Sequence, residues 1–523
     1  MADATVTIHT ADGGICVCRA PIGSTLLSVC AGQSLAVDAP CGGSGKCGKC
    51  RVRAGGSLSP RAEKERDLPA GERLACLARV EGDCEVWLRA QNEMRVETGG
   101  TRLSRPLDPW AEPKFGAAID IGTTTVVAYL YDLSTGEELA VLGAENRQRT
   151  FGADVISRIT YSMTEPEGLA RLSAVIRTEL TDLLQTVAAR AGRSTAEITC
   201  ATVAGNTVIA HLFAGLSPAG LAKLPFAPET LFDDSFSADP AWLGLAPTAH
   251  LRILPAISAF VGGDISAAAL AVSLHDAAEP TILLDIGTNG EMALAANGRI
   301  LCCATAAGPA FEGADIECGM SGTDGAIDTV RITDGKLAFT VIGGGEAAGL
   351  CGSGLIDLLA ALLAVGAVDE TGRLLPPDEA PDAALPYLKE TDDGDVICAL
   401  TETVYVTDRD VRRLQLAKAA IAGGIATLLD EAGLSPADVK TVCIAGGFGA
   451  HLDPESAAAI GLYPAEWRDR AQAVGNAAGA GAAAALCSAA ALDALCALAA
   501  SMQTLELSAD PRFTEYYVEN MMF

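Results

Sequence analysis

Short apolar runs punctuated by turn residues mark most of the chain, and their spacing divides it into two kinds of region. In residues 1–90 the runs TVTIHT, ICVCRA, CRVRAGG and CEVWLRA read as short strands, with TLLSVCAGQ as a brief helix before a cysteine-rich loop. The implied unit is small and mostly β. Residues 91–115, QNEMRVETGGTRLSRPLDPWAEPKF, hold three prolines and a glycine pair with little periodicity, and read as a linker that holds two domains at variable separation. From residue 116 strands and helices alternate, the pattern of an α/β body. FGAAIDIGTTTVVAYLYD reads as strand, turn, strand, and EELAVLGAE as a third strand. A helix is expected at about 167–191 and a strand at ITCATVAGN.

Near residue 281 the pattern restarts with TILLDIGTNGEMALAANGRILCCA, again three strands. The repeat is literal: Ile119-Asp120-Ile121-Gly122-Thr123 matches Leu284-Asp285-Ile286-Gly287-Thr288. A duplicated fold follows, with halves at 116–279 and 280–523 and a cleft between them. The stretch at about 366–404 is polar and Pro-rich and reads as an insertion in the second half. The helix VRRLQLAKAAIAGGIATLLDEAG follows it, opened by a capping box from Thr407 to Asp410. Ala477–Ala500 is apolar, but it is built from Ala and Gly and carries Asp493, so a buried, closely packed helix is expected rather than a membrane span.

Composition narrows the picture. With 523 residues, half of them hydrophobic, the chain has material for several cores, and two to four domains are the prior. The net charge of −29 argues against nucleic acid or an anionic membrane as partner. Residues 1–90 hold eleven Lys/Arg and ten Asp/Glu, so nearly all the negative charge lies beyond them. The chain opens without a basic start or apolar signal core, which implies a reducing, cytoplasmic setting for its seventeen cysteines.

Cys41, Cys47 and Cys50 have spacing C-x5-C-x2-C, and Cys76 follows in ERLACLARV. Four thiolates can hold the two irons of a 2Fe–2S cluster, and the intervening glycines let the loop wrap closely. A structural Zn(Cys)4 site would also use four thiolates, although such sites usually pair two C-x2-C knuckles and here there is one. Cys16, Cys18, Cys30 and Cys84 lack the spacing and read as buried small hydrophobes.

A strand that ends in Asp and turns through Gly-Thr sets backbone N–H groups and hydroxyls where phosphate oxygens can lie. The Asp suits a water-mediated Mg²⁺ contact. Asp120 with Gly122, Thr123, Thr124 and Thr125 is one such turn; Asp285 with Gly287, Thr288, Asn289 and Gly290 is the other. Facing one another, they would clamp the β- and γ-phosphates of a nucleotide. Gly446, Gly447 and Phe448, after a late strand, permit close approach to an adenosine.

These turns and AGGFG are similar to the phosphate and adenosine motifs of the acetate and sugar kinase, heat-shock chaperone and actin superfamily. More narrowly, APCGGSGKCGKC, GADVISRI, VAGNTVIAHLFAG, LLDIGTNGE, AAGPAFEGADIECGM, LCGSGLIDLL, QLAKAAIAGGI and VGNAAGAGA together resemble the ferredoxin-bearing reductive activators of corrinoid proteins. The resemblance implies a multidomain fold: a β-rich 2Fe–2S ferredoxin-like domain joined to a duplicated α/β, actin-like (ribonuclease-H-like) ATPase body. It implies ATP, Mg²⁺ and a 2Fe–2S cluster as cofactors, Cys41, Cys47, Cys50 and Cys76 as cluster ligands, and Asp120 and Asp285 as metal and phosphate contacts. Lys418, on the helix before the AGGFG strand, becomes a candidate adenosine contact, and Glu291 and Glu312 become candidates for orienting the attacking water. The implied activity is ATP-dependent transfer of one electron to a Co(II) corrinoid protein of an anaerobic methyltransferase system, supplied by an upstream electron donor. A homodimer is left open. The alternatives are an ATP-driven donor to another redox enzyme and a small-molecule kinase with an accessory ferredoxin domain.

Overall fold

The computed structural model describes residues 3–523 apart from 12, 34, 36, 38, 40–42, 44, 46, 47, 67, 90–97, 100–105, 392 and 393. Cys41, Cys47 and much of the linker thus lie outside the described residues. The chain forms two compact units, Met1–Glu93 with Asn146–Ile176, and Met94–Glu145 with Arg177–Phe523.

The first unit holds strands β1 (Asp3–His9), β2 (Ile15–Pro21), β3 (Arg51–Leu58), β4 (Glu72–Leu74) and β5 (Val80–Trp87), in the order β2-β1-β5-β3-β4. β1 and β5 are parallel; the other pairs are antiparallel. Helix α1 (Leu26–Gly32) starts at Thr25, whose hydroxyl accepts from Ser28 N at 3.1 Å. Its Leu26, Leu27 and Val29 share one core with Val6, Ile8, Val52 and Val86. Cys30 and Cys84 are buried in that core, as expected, whereas Cys16 and Cys18 on the edge strand are only half-buried. The segment from Asn146 adds a 3-10 turn (Arg147–Phe151), helix α2 (Val155–Thr164) and the start of helix α3 (Gly168–Arg190). Asp154 caps α2, and the buried Arg158 donates to Gly152 O and Gln148 Oε1.

In the second unit β6 (Phe115–Ile121), β7 (Thr125–Asp132) and β8 (Glu137–Glu145) form an antiparallel meander. β9 (Ile198–Gly205) and, after helix α4 (Thr207–Ala214), β10 (His250–Ile253) extend it in parallel on the β6 side. Helix α5 (Gly263–Ala271) leads to the repeat. There β11 (Thr281–Ile286), β12 (Gly290–Ala296) and β13 (Arg299–Thr305) form the second meander. A side sheet of β14 (Ala326–Thr333), β15 (Lys336–Val341) and β16 (Gly349–Leu350) precedes helix α6 (Gly352–Ala364). The insertion carries a small sheet not foreseen from its composition, β17 (Leu388–Glu390), β18 (Val396–Ala399) and β19 (Tyr405–Thr407). Helix α7 (Asp408–Ala432) opens on the expected Thr407–Asp410 capping box. β20 (Thr441–Ala445) then joins β11 in parallel, followed by the short helices α8 (Gly446–Gly449) and α9 (Pro454–Ala459) and by strand β21 (Ala471–Gly475). The two main sheets, β10-β9-β6-β7-β8 and β21-β20-β11-β12-β13, therefore have the same topology; β22 (Gln503–Thr504) adds an edge to the second.

The Ala-rich run forms two helices rather than one, α10 (Ala477–Cys487) and α11 (Ala489–Ser501). Ser488 is extended and breaks the helix, and its hydroxyl caps α11 through Ala491 N. Small residues are required because α10 lies against α5: a Cβ on Gly481 would stand 1.9 Å from Ala267 O. Both helices share a core with residues of both meanders, including Ala118, Val127, Leu283 and Ala293. A terminal helix α12 (Pro511–Glu519) packs on α7. Among the described residues no helix is long and apolar enough to cross a membrane.

Candidate functional site

The cysteine loop returns to the first unit's sheet at Cys50, beside Cys76. Their Sγ atoms are 3.2 Å apart, and Cys76 N donates to Cys50 Sγ at 3.5 Å. Glu65 fixes the end of β4 that leads to Cys76, accepting from Leu74 N at 2.8 Å and pairing with the buried Arg73 at 2.9 Å. The loop passes close to the core through glycines: at Gly43, which has a positive φ, a Cβ would meet Leu27 Cδ2 at 2.9 Å. Two convergent thiols, a donor aimed at one sulfur and a loop of glycines suit an iron–sulfur cluster. Cys41 and Cys47 lie outside the described residues.

The second unit contains a cleft of about 300 Å³. Asp120 and Asp285 stand near the ends of β6 and β11, and the two Gly-Thr turns follow them. Gly122 N donates to Thr125 O at 2.8 Å, and Gly287 N to Asn289 O at 2.9 Å, so each turn closes on itself. The turns meet: the Thr124 and Thr288 hydroxyls are 3.5 Å apart, and Glu312 accepts from both, at 2.7 and 2.8 Å. Thr123 and Asn289 also line the cleft. At its other side Gly446 has a positive φ, and a Cβ there would stand 2.7 Å from Asp285 Oδ1. Gly447 and Phe448 complete this wall, with the Phe448 ring stacked on Phe311 at 5.2 Å. Gly352 fits beneath them because a Cβ would strike Phe311 O.

Two expected contacts lie elsewhere. Gly290 does not line the cleft; it faces α7, where a Cβ would collide with Ile421 and crowd Thr305. Lys418 is buried under the C-terminal residues, where its Nζ donates to Met522 O and lies 4.9 Å from the Phe523 ring centroid. A buried ammonium needs such an acceptor, and here the backbone supplies it.

Three cleft residues were not singled out from the sequence. Asn206 caps α4 and donates to Thr123 Oγ1 at 3.1 Å; Asn476 caps α10 and lines the cleft with Asp120; Asp264 occupies the first turn of α5. Asn206 and Asn476 are N-caps of the preferred residue type, and Asp264 follows the Gly262-Gly263 pair that opens α5. With α6 and the short α8, five helices begin at the cleft among the described residues, and their N-terminal dipoles favour an anion there. The carboxylates have the complementary bias, toward a cation. Burial and the Asp285 charge push Asp120 up to about 7 against the lowering effect of the nearby Asn476 amide, and burial pushes Asp285 up to about 6. Burial and neighbouring acids also raise Asp264 and Glu291. Buried acids of like charge are relieved by a divalent cation. Among the described residues no three His, Cys, Asp or Glu side chains are grouped as metal ligands, and Mg²⁺ is commonly held through its waters and phosphate oxygens. The donor set fits Mg-ATP.

Comparison with known proteins agrees. Residues 279–523 match the model described as the C-terminal domain of RACo, the ASKHA domain; residues 115–277 match the RACo middle region; residues 10–81 match the 2Fe-2S iron-sulfur cluster binding domain. The corrinoid activation enzyme RamQ of Eubacterium limosum is 33% identical over 448 residues, covering 84% of this chain and 75% of RamQ. The chain belongs to the RACo family. A second relative, the [Co(II) methylated amine-specific corrinoid protein] reductase of Methanosarcina barkeri, is 26% identical over 67% of this chain and 66% of its own length. The solved structure of a reductive activator for corrinoid, iron-sulfur protein superposes with a TM-score of 0.72 at 29% identity, covering 99% of this chain and 98% of that one. As in the family, the fold joins a ferredoxin-type domain to an actin-like ATPase body, and the cofactors are a 2Fe–2S cluster, ATP and Mg²⁺.

Proposed function

We propose that this RACo-family chain uses ATP to drive the one-electron reduction of a Co(II) corrinoid protein, restoring the Co(I) state that methyl transfer requires. The observation that carries this reading is the joining, on one chain, of a convergent cysteine pair and a cleft whose two threonine turns meet at Glu312. When bound, the 2Fe–2S cluster supplies single electrons and Mg-ATP supplies the free energy of hydrolysis. Cys41, Cys47, Cys50 and Cys76 would hold the cluster, with the first-unit glycines keeping the loop tight. Asp120 and Asp285 would orient Mg²⁺ through its waters. The hydroxyls of Thr123, Thr124, Thr125 and Thr288 and the N–H groups of both turns would bind the phosphates. Glu312 is the better placed of the two glutamates to orient water, because it reaches both turns; Glu291 lies against Asp285 with its acid form favoured by burial. Gly446, Gly447 and Phe448 would receive the nucleoside.

The proposed division of the chain is a ferredoxin domain at 1–90, a linker at 91–115, and body halves at 116–279 and 280–523. We place the protein in the cytoplasm, served by an upstream electron donor. The test mixes pre-reduced protein with a Co(II) corrinoid protein and follows Co(I) absorbance. Formation of Co(I) is expected only with Mg-ATP. Equal rates and yields with and without it would overturn the reading.

A further inference from the structure

The linker and the Ala-rich helices meet in the second unit, and the contact runs from one end of α10 to the other. At its start, Asn476 N donates to Gly99 O at 2.7 Å, and Tyr129 OH donates to Thr98 O at 2.8 Å. At its end, Trp110 Nε1 donates to Ala485 O at 2.9 Å. Asp108 N donates to Cys487 O, and Asp108 O accepts from Ala489 N across the break between α10 and α11. The described part of the linker is therefore strapped along this helix.

The helix begins in the nucleotide cleft. Asn476 Oδ1 accepts from Gly479 N at 2.8 Å, which fixes the orientation of the amide. Its NH2 group then lies beside the Tyr129 oxygen at Gly479, and the side chain lines the cleft together with Asp120. The chain of contacts runs Asp120, Asn476, Tyr129, Thr98: from the carboxylate at the first turn to the backbone of the linker. It is tightly packed, for a Cβ on Gly479 would stand 2.8 Å from Tyr129 Oη and 2.9 Å from Asn476 Nδ2.

We propose that Asn476 and Tyr129 are positioning residues that transmit the nucleotide state of the cleft to the linker at Thr98 and Gly99, with α10 as the rigid element that carries both contacts. The proposal rests on the nucleotide reading of the cleft. A carboxylate that turns toward Mg-ATP or away from it draws or releases the Asn476 amide. That amide in turn polarises the Tyr129 hydroxyl, which holds the linker carbonyl. Because groups inside a packed core shift together, a small movement at Asp120 reaches the strap without a new contact. Linkage makes the effect reciprocal: whatever loosens the strap also changes the preference of the cleft between nucleotides.

The test uses the full, cluster-loaded chain and its own tryptic sites at Arg95 and Arg102. Cleavage is timed with Mg-ADP and with a non-hydrolysable Mg-ATP analogue, and calorimetry measures binding of each. The two nucleotides should give linker cleavage rates that differ by about fivefold or more in the wild type. Tyr129→Phe removes only the hydroxyl, and should abolish that difference while both nucleotides still bind. Gly479→Ala, which wedges the same contacts apart from the helix side, should do the same and guards against a folding defect peculiar to one variant. A Tyr129→Phe protein that keeps the full difference would overturn the proposal. Equal cleavage of the wild type with two nucleotides that calorimetry shows bound would also overturn it. If neither nucleotide binds, the nucleotide reading of the cleft fails and this proposal falls with it.

Discussion

In the first half of the body Asp120 lies across from Val127 and shares the cleft with the Asn476 amide; in the second, Asp285 lies across from Glu291, itself a buried acid. The backbone around them is the same: an antiparallel meander with a parallel strand beside it, ending level with the aspartate. That parallel strand ends differently. β9 runs into Asn206, which caps a helix and holds Thr123, whereas β20 runs into Gly446, Gly447 and Phe448, which leave room beside the Asp285 carboxylate. Duplication copied the turn and not its surroundings. The first side is satisfied by amides and continues into the linker contacts; the second is acidic and opens toward the aromatic wall. A clamp of equal geometry with unequal chemistry can bind one ligand from two sides while holding metal, phosphate and nucleoside apart.

The sharpest way to break this comparison is to remove each aspartate in turn. Asp120→Ala and Asp285→Ala should each lower ATP turnover by about 10²- to 10³-fold, since each removes one side of the metal–phosphate clamp. Iron content should stay unchanged in both, because the cysteines proposed to hold the cluster belong to the other unit. Normal turnover in one variant would assign catalysis to a single half; normal turnover in both would leave the turns with a structural role only.

Glutamates give the next test. Glu312 is shared by both turns, and Glu291 belongs to one. Glu312→Gln should reduce turnover by about 10²-fold, the usual scale for a positioned acid–base group. Glu291→Gln should leave turnover near the wild-type value. Reversed effects would move the water-orienting role into the second half alone. A smaller change is expected at the aromatic wall. Phe448→Ala should weaken nucleotide binding by up to about tenfold, consistent with the loss of one aromatic contact, and leave maximal turnover alone.

Much of this was legible in the sequence because it is local. The strands ending in Asp120 and Asp285, the turns after them and the Thr407 cap are written in consecutive residues whose period and turn chemistry admit few readings. Asn206, Asp264 and Asn476 were not legible as site residues. Each is an ordinary helix start in isolation, and only the arrival of several helices at one cleft gives it a role. The same reason explains Gly290: its neighbour Ile421 is on α7, and no spacing rule connects them. The grouping of Asn146–Ile176 with the ferredoxin strands is likewise long-range, since that segment reads from its pattern as part of the alternating α/β body. The break at Ser488 was hidden by uniform Ala composition, which favours helix throughout and carries no signal for where the linker crosses.

The smallest effect on turnover is expected at Lys418, and it tests whether the nucleoside side of the second half is built without a lysine. Its position on the helix before β20 made it a natural adenosine contact. Yet its ammonium donates to Met522 O and lies over Phe523, and burial pushes it down to about 8. Lys418→Met keeps the length and apolar bulk of the side chain and removes the donor. Nucleotide affinity and turnover should match the wild type at 25 °C, because no cleft group loses a partner. Stability should fall by about 1–3 kcal/mol, the cost of leaving a buried carbonyl without its charged donor, and thermal unfolding would show it. A variant that melts normally but binds ATP weakly would return the lysine to the cleft. The two walls would then differ by a cation as well as by Glu291 and Phe448.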